Sequence, residues 1–541
     1  MPCDIVVSYI AQETAMIQTE LIVPIHKLLK RHAEERPDKI SFQDERSSLT
    51  YRQLEQVTAR LAVHLQASGV EAGDRVAVLL PNSVEWVASC LAIVRAGGIA
   101  VPVSHEATIP EIEYRLMDAS CVAVVTSDAR ELEVRKLGDG IPSLKEYVTV
   151  QWGSAPVVGT EYRKVVEERA RGTPMDADTL DLPAFVVYTS GTTGKAKGVL
   201  LSTRSMLWVT ASCWAPIAGL NQNDRILNCL PLYHSYAINF AVLSVLAVGA
   251  SEYLMDRYSS REIPRLLANG EFSVLPGVPT MFHYLLEGAQ TGTGNRLPGI
   301  RLCVSAGAIL PAATNRAFEE RFGVKLLDGY GITETSTMVT MNWPTGTRPY
   351  GSCGLPLPGV ATRIVEPVGM RDVNVGEEGE LLVRGPNVMK GYLNKPAETD
   401  AALRNGWYHT GDLARLDASG YITITGRLKE VIIRGGQNIA PAEIEQLVSV
   451  FDGVLDCAVT GSPHQHLGEV PVVFIVQRDG EKVDVDALLA HCRTQLSAYK
   501  VPHAVHIVAE IPRTGSGKVM RFKLREALEV VAMASTTQSS S

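Results

Sequence analysis

Eleven residues, Tyr188-Thr-Ser-Gly-Thr-Thr-Gly-Lys-Ala-Lys-Gly198, constrain this chain more than any other stretch. They follow a mostly apolar run, 182–187, and lead into Val199-Leu200-Leu201, so the stretch reads as a turn between two buried strands. Glycines let backbone N–H groups point inward, hydroxyls add donors and lysines add positive charge, a combination suited to a polyphosphate. It is not a Walker A loop, which needs two glycines four residues apart followed by Lys and Ser/Thr. Here only two residues separate Gly191 from Gly194, and Ala196 follows Lys195. A plain Gly/Ser/Thr-rich turn is the competing reading, and the rest of the chain decides between them.

At 541 residues the chain exceeds one ordinary core and is expected to divide into at least two domains. The net charge of −8 disfavours a nucleic acid or an anionic membrane as general partner, while leaving room for a local phosphate site. Nine scattered cysteines form no C-x-x-C pair and read as reduced, buried residues of a cytoplasmic protein. The first twenty residues make a poor signal peptide. The longest apolar stretch, 237–250, falls short of the ~20 residues a membrane span needs and reads as a buried helix.

Between residues 25 and 126, short apolar runs such as 75–80, 99–103 and 121–126 alternate with helical patterns at 26–35, 51–65, 84–96 and 110–119. Thr50 is the expected N-cap of the second helix. Such alternation indicates parallel α/β sheets, whose ligands sit at the carboxyl ends of the strands. Residues 129–181 show little periodicity before a helix near 162–171 and read as surface wrapping. Further strands are expected at 225–230, 274–276 and 302–305, and residues 350–425 read as a β-rich subdomain of short strands and Gly/Pro turns.

Five later segments could carry chemistry. In Asp328-Gly-Tyr-Gly-Ile-Thr-Glu-Thr335 the Gly-Tyr-Gly turn offers a flat face for a base, and Glu334 a hard oxygen for Mg²⁺. His234, in Pro231-Leu-Tyr-His, and Asp412, in Tyr408-His-Thr-Gly-Asp, also read in isolation as a core histidine and a simple Asx turn. In 426–445 two cations, Arg427 and Lys429, precede a strand, and Gly435-Gly436 precedes a helix opened by Pro441. Lys518, in Pro512-Arg-Thr-Gly-Ser-Gly-Lys, is either solvated surface or a movable positive charge for a developing anion.

In this order and at these separations, the motifs resemble the AMP-forming adenylating superfamily from about residue 25 to 528, in its acyl-CoA synthetase branch. The resemblance implies a large N-terminal domain of parallel α/β sheets plus the β-rich subdomain (25–425), a hinge (426–429) and a small mobile α+β C-terminal domain (430–528). An extension (1–24) and a disordered tail (529–541) would flank them. It implies ATP, Mg²⁺ and coenzyme A as cofactors and co-substrates. Thr189, Ser190, Gly191, Thr192, Thr193, Gly194, Lys195 and Lys197 would form the phosphate loop. Ser305, Ala306, Gly307 and Ala308, with Asp328, Gly329, Tyr330 and Gly331, would border adenine. Thr333 would touch the α-phosphate, Glu334 would hold Mg²⁺, Asp412 would bind ribose beside Arg427, and Lys429 would be the hinge. Lys518 would support adenylation, and Gly435 and Gly436 would pass the pantetheine arm. Lys518, Glu334, His234 and Thr189 are the expected catalytic residues.

The acid is less sharply marked. Residues 234–241, His-Ser-Tyr-Ala-Ile-Asn-Phe-Ala, hold no carboxylate, which disfavours an α-amino acid because its buried ammonium would lack a partner. Ala237, Ile238, Val278, Tyr236 and Phe240 suggest a fatty acid, with an aryl acid as the alternative, and read equally well as core packing. No carrier domain is read after residue 528, so the thiol is expected from CoA, with a separate acyl carrier protein as the alternative acceptor.

Overall fold

The apolar runs pair side by side in the computed structural model, which describes residues 17–168, 172–189, 196–290, 296–435, 437–514 and 517–528. The expected loop residues Ser190, Gly191, Thr192, Thr193, Gly194 and Lys195, together with Gly436, most of the N-terminal extension and the 529–541 tail, lie outside the described residues.

Two sheets are mainly parallel, as the strand–helix alternation requires. Among the described residues one sheet has nine strands, in the order Leu355–Pro356, Thr340–Met341, Lys325–Tyr330, Leu302–Ser305, Val274–Gly277, Arg225–Asn228, Ser251–Leu254, Ile40–Gln43 and Ser48–Thr50. The second has eight, in the order Gly391–Tyr392, Lys197–Ser202, Pro183–Thr189, Ile99–Pro102, Arg75–Leu79, Ala123–Ser127, Glu146–Val150 and Thr160–Glu161. Central strands such as Leu302–Ser305 and Ala123–Ser127 are buried throughout, which is why they read as continuous runs rather than alternations. Thr50 caps the helix Tyr51–Ala67 by accepting from the Gln53 N–H, and Gln53 returns a bond to complete a capping box.

Residues 129–181 depart from the reading of loose surface wrapping. They contain the helix Asp128–Gly138 and the strand Glu146–Val150. The helix hides its period because its buried face carries Asp128 and Glu131 with Val134. These carboxylates accept backbone N–H groups from Gly153 at 2.8 Å and Val158 at 3.1 Å. A buried face of hydrogen-bonded acids leaves no apolar stripe to count.

The helical stretches after the phosphate loop also depart from a regular helix. Thr203–Val209 continues as a π-helical segment, Thr210–Trp214, and a second one, Ile238–Ser244, lies against it. Thr210 and Ser244 hydroxyls meet at 3.0 Å, and Asn239 donates to the Met206 carbonyl and accepts from the Trp214 indole. Asn239 is a buried connector, and 237–247 is core.

A third, antiparallel sheet joins Ala361–Val365, Glu378–Arg384, Trp407–Leu416, Leu403–Arg404 and Ile422–Arg427. Gly426 and Arg427, expected in the connection, are the last paired residues of this sheet, opposite Leu413 and Asp412. The chain then makes a short 3₁₀ turn, Leu428–Glu430, and enters the C-terminal sheet. That sheet is ordered Gln437–Ile439, Ile432–Arg434, Gly468–Gln477 and Val454–His464, with Ala504–Ile507 beside Gly468–Gln477. Its own apolar cluster of Ile432, Ile444, Val459, Val473 and Leu488 makes it a separate core. Arg478 of this body reaches Glu287 of the first at 3.2 Å.

Candidate active site

Carboxyl ends of the nine-stranded sheet's strands open onto one cavity of about 1550 Å³, whose lining also includes the Leu428–Glu430 turn and the segment around Lys518. The position follows from topology, because parallel strands place their loops at one end.

Asp412 is the most firmly held group. The simple turn expected for it is instead a bulged stretch of the strand Trp407–Leu416. Thr410 Oγ1 donates to the Leu381 carbonyl, Gly411 N–H donates to Glu380, and Asp412 N–H donates to Thr410 Oγ1. The irregularity re-aims the carboxylate into the cavity. There Oδ2 accepts from the Tyr330 hydroxyl at 2.6 Å and Oδ1 pairs with Arg427 Nε at 2.8 Å. Asp412 raises the Arg427 guanidinium above its already high range, so the guanidinium stays charged.

Tyr330 is the last residue of the strand Lys325–Tyr330, and a turn follows it. Gly331 in that turn is a packing requirement, because an added Cβ would lie 1.4 Å from the Thr337 carbonyl oxygen. Asp328, in the same strand, is buried with Oδ1 unpartnered. Burial pushes its carboxyl well above the usual carboxylate range, only partly offset by the Gly329 N–H. Gly307, Ala308, Asp328, Gly329, Tyr330 and Gly331 all line the cavity. Ala306 is buried just before them, its N–H donating to the Gly277 carbonyl at 3.3 Å.

Glu334 lies in the turn Thr333–Thr335, with Thr333 Oγ1 at 3.2 Å from Ser235 Oγ. Its Oε1 accepts from the Tyr392 hydroxyl at 3.0 Å. Among the described residues no three His, Cys, Asp or Glu side chains form an all-protein metal cage. A single carboxylate facing a phosphate site is nevertheless the donor set of nucleotide-bound Mg²⁺, which takes most of its oxygens from phosphates and water. The residues fit that ion. Thr189 ends the strand Pro183–Thr189 and pairs with Lys197 across the loop.

Lys518 is not solvated surface. Thr514 N–H donates to its carbonyl at 2.8 Å, and Arg513, held by Asp456 at 2.8 Å, donates to Gly517. Gly517 lies against Val278, so that an added Cβ would be 3.2 Å from a Val278 methyl. The ammonium faces Asp412, Glu334 and Glu430 beside Arg427, and burial followed by Arg427 pulls it below the ordinary lysine range.

His234 lines the cavity with Nε2 buried and without a hydrogen-bond partner. Burial, then Lys518 and Arg115, lower its pKa to about 3, so the ring is neutral at physiological pH. It is equipped to give or accept a hydrogen bond rather than to store a proton. Lys429 lines the cavity from the 3₁₀ turn. Gly435 does not line it: it turns the hairpin between Ile432–Arg434 and Gln437–Ile439 at φ 57°. Sequence reasoning missed Tyr392, Arg115 and Glu430. Each is a single residue of ordinary type, whose place appears only when Gly391–Tyr392 pairs with Lys197–Ser202 and the C-terminal body is docked.

Comparison with known proteins identifies the family. The family model described as AMP-binding enzyme matches residues 29–393, and the AMP-binding enzyme C-terminal domain matches 443–518. A long-chain-fatty-acid–CoA ligase of Bacillus subtilis is 31% identical over 546 residues, covering 96% of this chain and 97% of the relative. A feruloyl-CoA synthase of an Amycolatopsis species is 32% identical over 497 residues, covering 92% of this chain and 97% of the relative. The solved anthranilate CoA ligase in complex with anthranoyl-AMP superposes with a TM-score of 0.87 at 26% identity, covering 94% of this chain and 98% of that one.

Proposed function

The chain belongs to the AMP-binding enzyme family, as an AMP-forming acid–CoA ligase, and on that premise we propose that it activates a hydrophobic monocarboxylic acid, foremost a medium- to long-chain fatty acid. The observation that carries the reading is the convergence of Asp412, Arg427 and Lys518 on one cavity, with the Glu334 carboxylate acting on the Lys518 ammonium and apolar helices behind His234.

The acid attacks the α-phosphorus of ATP, forming the acyl–phosphate bond and breaking the bond to pyrophosphate. The thiol of CoA then adds to the acyl carbon and AMP departs. Asp412, oriented by Arg427 and Tyr330, accepts the ribose hydroxyls and fixes the nucleotide. Thr189 and Lys197 frame the phosphate loop. Glu334 would hold Mg²⁺, which when bound would supply charge neutralisation. Lys518 brings its cation to the phosphoryl oxygens as their negative charge grows. Neutral His234 presents Nε2 to the reacting carboxylate without adding charge. None of these roles needs a covalent enzyme intermediate. On this reading Lys429 sits at a hinge, and Gly435 would reach the pantetheine arm after the C-terminal body turns.

An aryl acid is the second reading, favoured by a buried aromatic wall. Trp214 stacks on Tyr236 with ring centroids 6.2 Å apart, Phe240 meets Trp214 edge-on at 4.7 Å, and the Tyr236 hydroxyl donates to the Val304 carbonyl. The relatives include ligases named for fatty and for aryl acids. Among the described residues eight cysteines are buried and free, which fits a reducing cytoplasm, and no helix is long and apolar enough to cross a membrane.

The test is acid-dependent pyrophosphate release with ATP and Mg²⁺ over fatty and aryl acids, with and without CoA. Release for fatty acids of graded length, completed to the thioester by CoA, is expected. Release confined to aryl acids would replace the leading reading by the second. Silence across the panel would overturn both.

A further inference from the structure

The segment Asn387–Leu393 crosses between the turn that carries Glu334 and the strand that leaves the phosphate loop, and it bonds to both. Met389 N–H donates to the Glu334 carbonyl at 2.8 Å, and Asn387 donates to the carbonyls of Thr335 and Met338. On the other side Lys390 N–H donates to the Leu200 carbonyl and Leu393 N–H to the Gly198 carbonyl. Tyr392 sits between these anchors, opposite Val199 in the sheet.

Its side chain repeats the bridge. The Tyr392 hydroxyl donates to Glu334 Oε1 at 3.0 Å, and its ring lies under the Lys197 ammonium, 5.0 Å from the centroid. We infer that Tyr392 is a positioning residue for Mg·ATP: its hydroxyl commits Glu334 Oε1 so that the other carboxylate oxygen faces the metal, and its ring holds Lys197 at the phosphates. One aromatic side chain would thereby fix the spacing between the metal ligand and a phosphate-binding cation. The hydroxyl also orients the acid without cancelling its charge, which a lysine in its place would do.

The inference rests on the nucleotide reading above, and the test separates the two. ATP binding to the full chain is measured calorimetrically without acid substrate, once with Mg²⁺ and once with EDTA. The wild type is expected to favour Mg·ATP. Tyr392→Phe keeps the ring and loses the hydroxyl, so it should lose about tenfold of that preference, the value of one hydrogen bond to a charged group, with metal-free ATP within about twofold of wild type. Glu334→Gln should lose the preference as well, and the double variant should lose no more than Glu334→Gln alone, since the tyrosine acts through the carboxylate. Tyr392→Leu, which removes the ring too, should also weaken metal-free ATP, by roughly threefold or more. Equal weakening of both ATP forms in Tyr392→Phe, a preserved preference, or additive losses in the double variant would overturn the inference and leave the nucleotide reading standing. A wild type with no ATP binding would overturn both.

Discussion

Removing the Lys518 ammonium should separate the two chemical steps. Of the cations that line the cavity, Arg427 acts most strongly on Lys518, but Asp412 pairs with it at 2.8 Å, so it cannot stand in for the lost charge. A unit charge ~4 Å from a phosphoryl oxygen, at an effective dielectric near 20, is worth ~4 kcal/mol. Burial beside Arg427 already penalises the charged lysine, which takes back part of that gain. A net ~3–4 kcal/mol corresponds to roughly 10²- to 10³-fold in rate. Lys518→Ala should therefore slow acyl-AMP formation by that factor in a quenched single turnover, while thioester formation from supplied acyl-AMP and CoA stays within about threefold of wild type. The pH profile adds an independent check. Because the ammonium is pulled below the ordinary lysine range, the wild-type first step should fall on the alkaline side sooner than an ordinary lysine would allow. Lys518→Arg should abolish that limb, because the guanidinium stays charged. Equal slowing of both steps, or a first step within tenfold of wild type, would refute the reasoning.

Two further outcomes follow from groups away from the chemistry. His32 is 3% exposed, and burial, then Arg31 and Arg36, lower its pKa to about 4. The unfolded chain takes up its proton near pH 6.5 while the folded one cannot, so stability is lost as pH falls from about 6.5 to about 4, by ~2 kcal/mol at pH 5. In urea unfolding at pH 7.5 and 5, His32→Leu should lose that part of the pH dependence, and an unchanged slope would rule it out. The half-exposed Arg478–Glu287 pair joins the two bodies and is worth under ~1 kcal/mol. Arg478→Glu should shift the ratio of the two half-reaction rates by roughly two- to fivefold, and adding Glu287→Arg should restore it; no change in either variant would show that the pair does not hold the docked arrangement.

Strands such as Leu302–Ser305 were legible because burial on both faces leaves a run of apolar residues, and the Thr50 cap because capping chemistry is local. The helix Asp128–Gly138 was not, because its buried face bonds backbone N–H groups through Asp128 and Glu131 instead of packing hydrocarbon. The π-helical segments were hidden for a similar reason: Asn239 looks like an interruption, yet it joins two helices by hydrogen bonds that no periodicity encodes. At the site, the types of Glu334, Asp412 and Lys518 could be read from motif order. The bulge that aims Asp412, the Tyr330 hydroxyl on it and the Tyr392 bridge to Glu334 arise from pairings between segments far apart in the chain.

These environments also explain why the mobile part would matter. Asp412 and Arg427 nearly cancel, His234 is neutral, and burial favours the uncharged form of Asp328. The first body therefore offers a triphosphate well-placed donors and a metal ligand, while the Arg427 charge is already balanced by Asp412. Lys518 arrives on the other body, through contacts as slight as Gly517 on Val278 and a half-exposed ion pair. A cation whose charged form is penalised until an anion is present gains most when the phosphoryl charge develops, and least once pyrophosphate has gone. Departure of pyrophosphate would thus remove the main reason for Lys518 to stay. With the joining ion pair worth under ~1 kcal/mol, the C-terminal body would then be free to leave before the thiol attacks.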